Sequence, residues 1–314
     1  VEFRQLGRSG LTVSVVGLGC NSFGGNPHSS SITAYGSLDF DATRAVVEAA
    51  LDEGVNFFDT ADLYGNGGSE RFLGEILKGC RDEVVIATKW GSGVAQDVAW
   101  GSRPFIRRAV EASLERLQTD FIDLYQMHWP DPKTPMEETL AALDELVREG
   151  KVRYVGSSHL EGWQIVDADW LARTCGYERL ISSQSHYNLL ERSIEREVLP
   201  ACRHAAVGVL PYFPLAGGLL TGKYRRGGAA PAGARLAGRE VPEETYARLE
   251  RLEAFAAERG HSLLELAIAW LAAQPGVSSV ITGATSPGQI RANVAAADWA
   301  MTADDLAALE TVLA

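Results

Sequence analysis

Six polar side chains each close a short apolar run: Asp59, Lys89, His128, Ser158, Gln184 and Tyr212. The first three are a carboxylate, an ammonium and an imidazole, and Lys and Asp are rarely buried without a partner. On neighbouring strands about 4.8 Å apart, Asp59 and Lys89 can pair. Tyr64 follows Asp59 by five residues in DTADLYGNGGSE, a length that can fold its phenol back over the strand ends. Gly65, Gly67 and Gly68 around Asn66 permit the tight return, and Ser69 with Glu70 suits a helix start. A phenol with a pKa near 10 keeps its proton at neutral pH, and a nearby ammonium stabilises phenolate and lowers that value. A Tyr, Lys and Asp group beside an imidazole is therefore a set that could deliver a proton. Taken singly, each has a structural reading as an ion pair, a loop tyrosine or a core histidine.

The elements that must position these groups alternate along the chain. Apolar or β-branched runs fall at 13–19, 55–59, 84–89, 121–128, 152–158, 180–184, 207–212 and 277–281. Stretches of helical period lie between them at 42–52, 69–78, 103–117, 136–148, 162–173, 193–204 and 243–259. Continuous apolar strands alternating with helices mean a covered parallel sheet, and eight of them mean a (β/α)8 TIM barrel, with residues 1–314 as one domain. An open doubly wound sheet is the competing fold, and the strand count disfavours it. A barrel carries its active site at the carboxyl ends of the strands, where the six polar residues stand. An N-terminal β-hairpin around Gly7-Arg8-Ser9-Gly10 is expected to plug the barrel's bottom. Residues 225–239 read as a loop after strand seven, and 302–313 as an extra C-terminal helix capped by Thr302.

Composition excludes several functions. Lys plus Arg is 29 against 41 Asp plus Glu, a net charge of −12, so no basic stripe serves a nucleic acid. No apolar run reaches the ~20 residues of a membrane span, and VEFRQLGRSG lacks the shape of a signal peptide. The four cysteines form no CxxC and the six histidines no HExxH, so neither a disulfide framework nor a metal site is expected. A cytoplasmic monomer or small homo-oligomer is the resulting expectation. GGLLTGK has P-loop spacing, but Tyr224 stands where Ser or Thr should bind magnesium. Gly17-Leu18-Gly19 lacks the third glycine of a Rossmann fingerprint.

The chain resembles the aldo-keto reductases over nearly its whole length. GVNFFDTADLYGNGGSE, ATKW and DLYQMHWPD resemble the family's signatures, and VGSSHL, QSHYNLLER, PYFPLAGGLLTGKY and ITGATSPGQIRANV follow in order. The resemblance implies a catalytic tetrad of Asp59, Tyr64, Lys89 and His128, NADP(H) preferred over NAD(H), and reduction of a small-molecule carbonyl. Tyr64 would be the proton donor, Lys89 its neighbouring cation held by Asp59, and His128 the group that orients the carbonyl oxygen. Ser158, His159 and Gln184 would bind the nicotinamide carboxamide, although the family commonly has Asn at position 159. Tyr212 would stack on the nicotinamide, and Cys20 and Asn21 would lie near its ribose. Pro214, Leu215, Gly217, Leu219 and Lys223 would hold the pyrophosphate, with Arg235 folding over it. Gly283, Thr285, Gln289 and Asn293 would surround the adenosine end, where Ser286 and Pro287 begin a helix that attracts phosphate. Better-known members carry Lys-Ser at Gly283-Ala284 and Arg at Gln289, so Arg291 is the candidate replacement cation. Trp90, Trp129 and Phe213 would line the substrate pocket, with Tyr35 and Trp100 on loops over the same face. Some members are instead cofactor-binding regulatory subunits of a membrane partner, which is the alternative function. A barrel hydrolase would want paired carboxylates, and Asp59 has Lys89 beside it.

Overall fold

Strands buried on both faces favour apolar runs, and the runs so marked assemble as expected, although the strand expected at 180–184 forms at Ser182–His186 and is polar throughout (SSQSH). The computed structural model describes residues 1–24, 38–91, 98–228, 236 and 240–313. Strands β1 (Phe3–Gln5) and β2 (Thr12–Ser14) pair antiparallel as the hairpin. The barrel consists of β3 (Val16–Gly19), β4 (Phe57–Asp59), β5 (Val85–Trp90), β6 (Ile122–Met127), β7 (Val152–Ser158), β8 (Ser182–His186), β9 (Gly208–Tyr212) and β10 (Val280–Gly283). All neighbours are parallel, in the order β10-β3-β4-β5-β6-β7-β8-β9. The ring closes where the Val209 amide donates to Gly276 O at 2.8 Å and the Ser278 amide donates to Val209 O at 3.0 Å.

Side chains alternate across each strand, so the barrel has two cores. Inside, Phe57, Val85, Ala87, Leu124, Ile181, Leu210 and Ile281 pack on Leu6 and Val13 of the hairpin, which plugs the bottom as expected. The hairpin turn needs Gly7, whose φ is +58° and where a Cβ would come within 2.4 Å of Ile181 O. Above this apolar floor the interior turns polar, with Gln126, Ser182 and Lys89 all buried. The larger core lies between the barrel and its helices.

Those helices are α1 (Phe40–Asp52), α2 (Gly68–Leu77), α3 (Arg103–Leu117), α4 (Met136–Arg148), α5 (Gly162–Cys175), α6 (Val198–Ala205), α7 (Glu243–Ala257), α8 (Leu263–Ala273), α9 (Pro287–Ala295) and α10 (Ala303–Leu313). Helix α8 is absent from the sequence reading. It is apolar on nearly every face and almost wholly buried, so it shows no amphipathic period. Its one sequence signal is a capping box: the Ser262 hydroxyl accepts from the Glu265 amide at 3.2 Å, and Glu265 Oε2 accepts from the Ser262 amide at 2.8 Å. Helix α7 falls within the stretch expected at 243–259 and packs on α8 and α10. The run expected at 13–19 splits between β2 and β3, and the last strand ends at Gly283 rather than Ile281. The expected helix over 193–204 is a 3-10 turn at Ser193–Glu195 followed by α6. Thr302 caps α10, its hydroxyl accepting from the Asp305 amide at 3.1 Å. Among the described residues, no helix is long and apolar enough to cross a membrane.

Candidate active site

Register brings the first pair together. Asp59 of β4 stands opposite Ala87 of β5, so Lys89, two residues on, shares Ala87's inward face one layer above. Lys89 Nζ donates to Asp59 Oδ2 at 2.6 Å and to Thr60 O at 2.9 Å, and approaches the Tyr64 hydroxyl at 3.5 Å. The ammonium is fully buried and Asp59 nearly so. The second oxygen of Asp59 accepts from Gln184 Nε2 at 2.8 Å and Gln126 Nε2 at 3.3 Å. Gln126 escaped the sequence reading because it lies mid-strand, where nothing but the register shows that it points inward.

The loop that carries Tyr64 begins as an extension of the sheet. The Thr60 amide donates to Ala87 O at 2.8 Å and the Asp62 amide to Lys89 O at 3.1 Å. The chain then reverses through Gly65, Asn66 and Gly67, all at positive φ. A Cβ on Gly65 would stand 2.8 Å from Gly24 Cα, so the return needs glycine for space as well as conformation. Helix α2 begins at Gly68, and Ser69 and Glu70 serve as anchors. The Ser69 hydroxyl donates to Cys20 O at 2.9 Å. Buried Glu70 accepts from Arg116 Nε and Thr88 Oγ1, both at 2.6 Å, which ties α2 to α3 and β5.

The His128 ring meets the Tyr64 ring edge-on, with centroids 5.9 Å apart. Burial first, then Lys89 and His159, hold His128 well below the usual imidazole pKa, so the ring is neutral at pH 7. Its Nδ1 is buried and has no hydrogen-bond partner among the described residues. Burial opposes the Lys89 ammonium, but the Asp59 carboxylate and the Tyr64 phenol outweigh it and raise the lysine pKa. Burial also pushes the Tyr64 phenol up; Lys89 pulls it down, yet the net shift is upward. From the sequence, the ammonium alone predicts a lowered phenol. In the folded chain the loss of water around the ring is the larger effect.

The other strand ends surround this group. The Ser158 hydroxyl donates to Gln184 O at 3.0 Å. His159 Nδ1 lies 2.8 Å from His128 O, and its Nε2 lies 3.1 Å from the Tyr212 hydroxyl. Trp129, 40% exposed at the rim, stacks on His159 with centroids 3.5 Å apart. His186, which the sequence reading missed, stacks on Tyr212 at 5.2 Å and meets Phe213 edge-on at 5.6 Å. Phe213 has φ +53°, and its carbonyl accepts from Asn188 Nδ2 at 2.9 Å.

Farther out, Ala216–Thr221 forms a 3-10 loop in which Gly217 and Gly218 take positive φ. Lys223 folds over it, so that a Cβ on Gly218 would come within 2.9 Å of the ammonium. Pro214 is buried, and Leu215 and Leu219 pack on the outer core. At the end of β10, Gly283 is exposed and a Cβ there would meet nothing within 4 Å. Ser286 caps α9, its hydroxyl accepting from the Gln289 amide at 3.4 Å. Gln289 Oε1 accepts from the Thr285 amide and hydroxyl at 2.7 and 3.1 Å.

Several expected site residues sit elsewhere. Trp90 follows inward-facing Lys89, so it faces outward. It is fully buried, stacks on Tyr125 at 4.6 Å and donates its indole N–H to Trp100 O, which removes it from the substrate wall. Trp100 is buried and donates to Trp129 O at 3.0 Å, beneath the rim. The Cys20 thiol lies in the outer core and donates to Leu18 O, and Asn21 beside it is half-buried. Asn293 is buried and ties α9 to Gly283 O at 3.3 Å. Arg291 pairs with Glu53 at 3.5 Å, so it is engaged away from Gln289. Arg235 and Tyr35 lie outside the described residues.

Known proteins share this sequence pattern from end to end. The profile of the aldo/keto reductase family matches residues 15–314. A rice protein named a probable voltage-gated potassium channel subunit beta is 38% identical over 95% of this chain and 92% of its own length. Two Bacillus subtilis proteins are also similar. The uncharacterized oxidoreductase YrpG is 37% identical over 99% of this chain and 96% of its own, and the aldo-keto reductase YhdN is 34% identical over 100% and 94%. A barrel whose rim joins an aspartate, a lysine, a histidine and a looped tyrosine, matched by a family profile over nearly its full length, leaves one assignment: the chain belongs to the aldo/keto reductase family.

Proposed function

We propose that the protein reduces aldehydes and ketones with a nicotinamide dinucleotide, NADPH in preference to NADH, and that Tyr64 is the proton donor. One observation carries the reading: a fully buried ammonium contacts both Asp59 and the Tyr64 hydroxyl at the carboxyl end of the barrel. A structural ion pair would have no need of the phenol.

The residues present fit such a cofactor. Gly283 is open, the start of α9 carries the positive end of its dipole, and Lys223 overlies the glycine loop. Tyr212 and His186 provide aromatic faces at the ends of β9 and β8. Bound there, the nicotinamide would supply the hydride. The protein's own part is the proton. The raised pKa keeps Tyr64 protonated at neutral pH, ready to donate. Lys89 stabilises the phenolate left behind, and Asp59 keeps Lys89 charged and aimed. Neutral His128 can donate one hydrogen bond to a carbonyl oxygen and so orient it. The apolar rim of Trp129 and Phe213 suits an aryl or alkyl carbonyl.

Preference for NADPH rests on the family more than on charge, since Gln289 and Arg291 have partners inside the protein. The name of the rice relative, a probable channel subunit, favours a second reading, a cofactor-binding regulatory subunit of a membrane partner. The decisive test is Tyr64→Phe. The variant should bind NADPH nearly as wild type, by fluorescence quenching, and lose about 10²–10⁴-fold in reduction of a reactive aldehyde. Wild-type turnover in that variant would falsify the tyrosine assignment. Single slow turnover in the unmutated protein would favour the regulatory role.

A further inference from the structure

His159 follows β7 at φ +58°, a conformation that Asn, Asp and His enter more readily than other side chains. A neutral imidazole has one N–H and one lone pair. Its surroundings assign both. His128 O can only accept, so the proton sits on Nδ1, which donates to that carbonyl at 2.8 Å. The Ser158 hydroxyl spends its own hydrogen on Gln184 O and, 2.9 Å from Nδ1, takes the second share of the same N–H. The lone pair on Nε2 is left to accept from the Tyr212 hydroxyl at 3.1 Å. The Trp129 ring covers one face at 3.5 Å and 12°, which fixes the ring plane. Burial holds the His159 pKa below the usual imidazole value, in keeping with a neutral ring.

We propose that His159 is a positioning residue: it braces the Tyr212 ring against the His128 backbone and does not read the nicotinamide carboxamide. The inference rests on the proposed function in taking Tyr212 as the face on which the nicotinamide lies. It differs from the expectation drawn from position 159, where an Asn would offer a donor to the cofactor. Here the single N–H is spent inside the protein. Recognition of the carboxamide then falls to Gln184, whose Nε2 keeps a hydrogen beyond the one given to Asp59, and to the remaining lone pair of Ser158. The orientation of Tyr212 is coupled to the segment that carries His128.

Two measurements test this. The first uses the protein without cofactor, labelled with ¹⁵N histidine at neutral pH. His159 should show the Nδ1–H tautomer, and Tyr212→Phe should shift its Nε2 resonance. The Nε2–H tautomer, or no response to Tyr212→Phe, overturns the brace. The second compares affinities for NADPH and two analogues, one with sulfur for the carboxamide oxygen and one with methyl for the amide nitrogen. His159→Gly suits the positive φ and removes the ring. It should weaken all three by a similar factor, about three- to tenfold, and leave their ratios unchanged. Loss of the wild-type preference for the carboxamide in that variant overturns the proposal. Absence of dinucleotide binding by the wild type would sink the reductase reading, while the tautomer experiment would still decide the brace.

Discussion

Removing Lys89 should cost more stability than removing Lys89 and the Asp59 charge together. At 2.6 Å the pair has a gross attraction of about 6 kcal/mol at an effective dielectric constant of about 20. Desolvation of two buried ions offsets much of that, so the pair's net contribution is small, but either ion left alone is costly. In Lys89→Met the Asp59 carboxylate stays buried with only two amide donors, Gln184 and Gln126. The expected loss is about 3–5 kcal/mol, a fall in Tm of roughly 5–8 °C for a chain of this size. Asp59→Asn alone strands the ammonium and should cost a similar amount. The double variant strands neither, so the recovery relative to the sum of the singles should exceed the whole Asp59→Asn cost of about 3–5 kcal/mol, leaving the double more stable than Lys89→Met. Urea denaturation of the four proteins measures the cycle. Carbonyl reduction should be lost in the two variants without Lys89, which have no cation beside the phenolate, and should fall in Asp59→Asn, where the ammonium loses the carboxylate that holds it. Additive stability losses, with no recovery in the double variant, would refute the claim that these charges are coupled in the fold.

Further outcomes follow from the same site. Burial leads the downward pKa shifts of His128, His159 and His186 from the usual 6.5. As pH falls through about 6.5 the unfolded chain gains protons that the folded chain does not, so stability should decline on acidification, and His128→Gln should flatten the decline. Asp62 behaves in the opposite sense. Burial, then Glu70, push its carboxyl up to about 6, so its folded form holds a proton between pH 3.8 and about 6 that the unfolded form has lost. Its stabilising contribution is present below that window and lost as pH rises through 6. Asp62→Asn should therefore stabilise the protein at pH 7, by at most ~3 kcal/mol, with the gain vanishing near pH 4. Gly218→Ala places a methyl within 2.9 Å of the Lys223 ammonium at φ +100°. It should displace the lysine and weaken NADPH binding about tenfold in a fluorescence titration, with little change in kcat.

What the sequence shows, and what it hides, follows from the period of a strand. The barrel is legible because most strands buried on both faces are apolar runs, and the site because six of those runs end in a polar residue. The same alternation, applied one residue further, places Trp90 on the opposite face from Lys89 and removes it from the pocket. Gln126 stays hidden because an inward polar residue in mid-strand resembles an outward one until register is known. Helix α8 stays hidden because a segment buried all round has no apolar stripe. The links from His159 to Trp129, Tyr212 and His128 join three loops distant in sequence, and no local spacing reports them. Arg291 looked like a phosphate ligand because Glu53, its partner, is more than two hundred residues away.

The phenol's pKa is the point where sequence chemistry and structure part most usefully. An ammonium beside a tyrosine suggests an acidic phenol, yet burial outweighs the ammonium and the pKa rises. A donor need not be acidic in the resting protein; it needs to be protonated when substrate arrives and to lose the proton to a developing alkoxide. Under the proposed function, a raised pKa would secure the first condition for Tyr64, and Lys89, within 3.5 Å, would serve the second. The ammonium stays charged because Asp59 holds it so. The carboxylate therefore acts on the phenol through the lysine, and its loss should reach Tyr64 although the nearest named contact of Asp59 is Lys89.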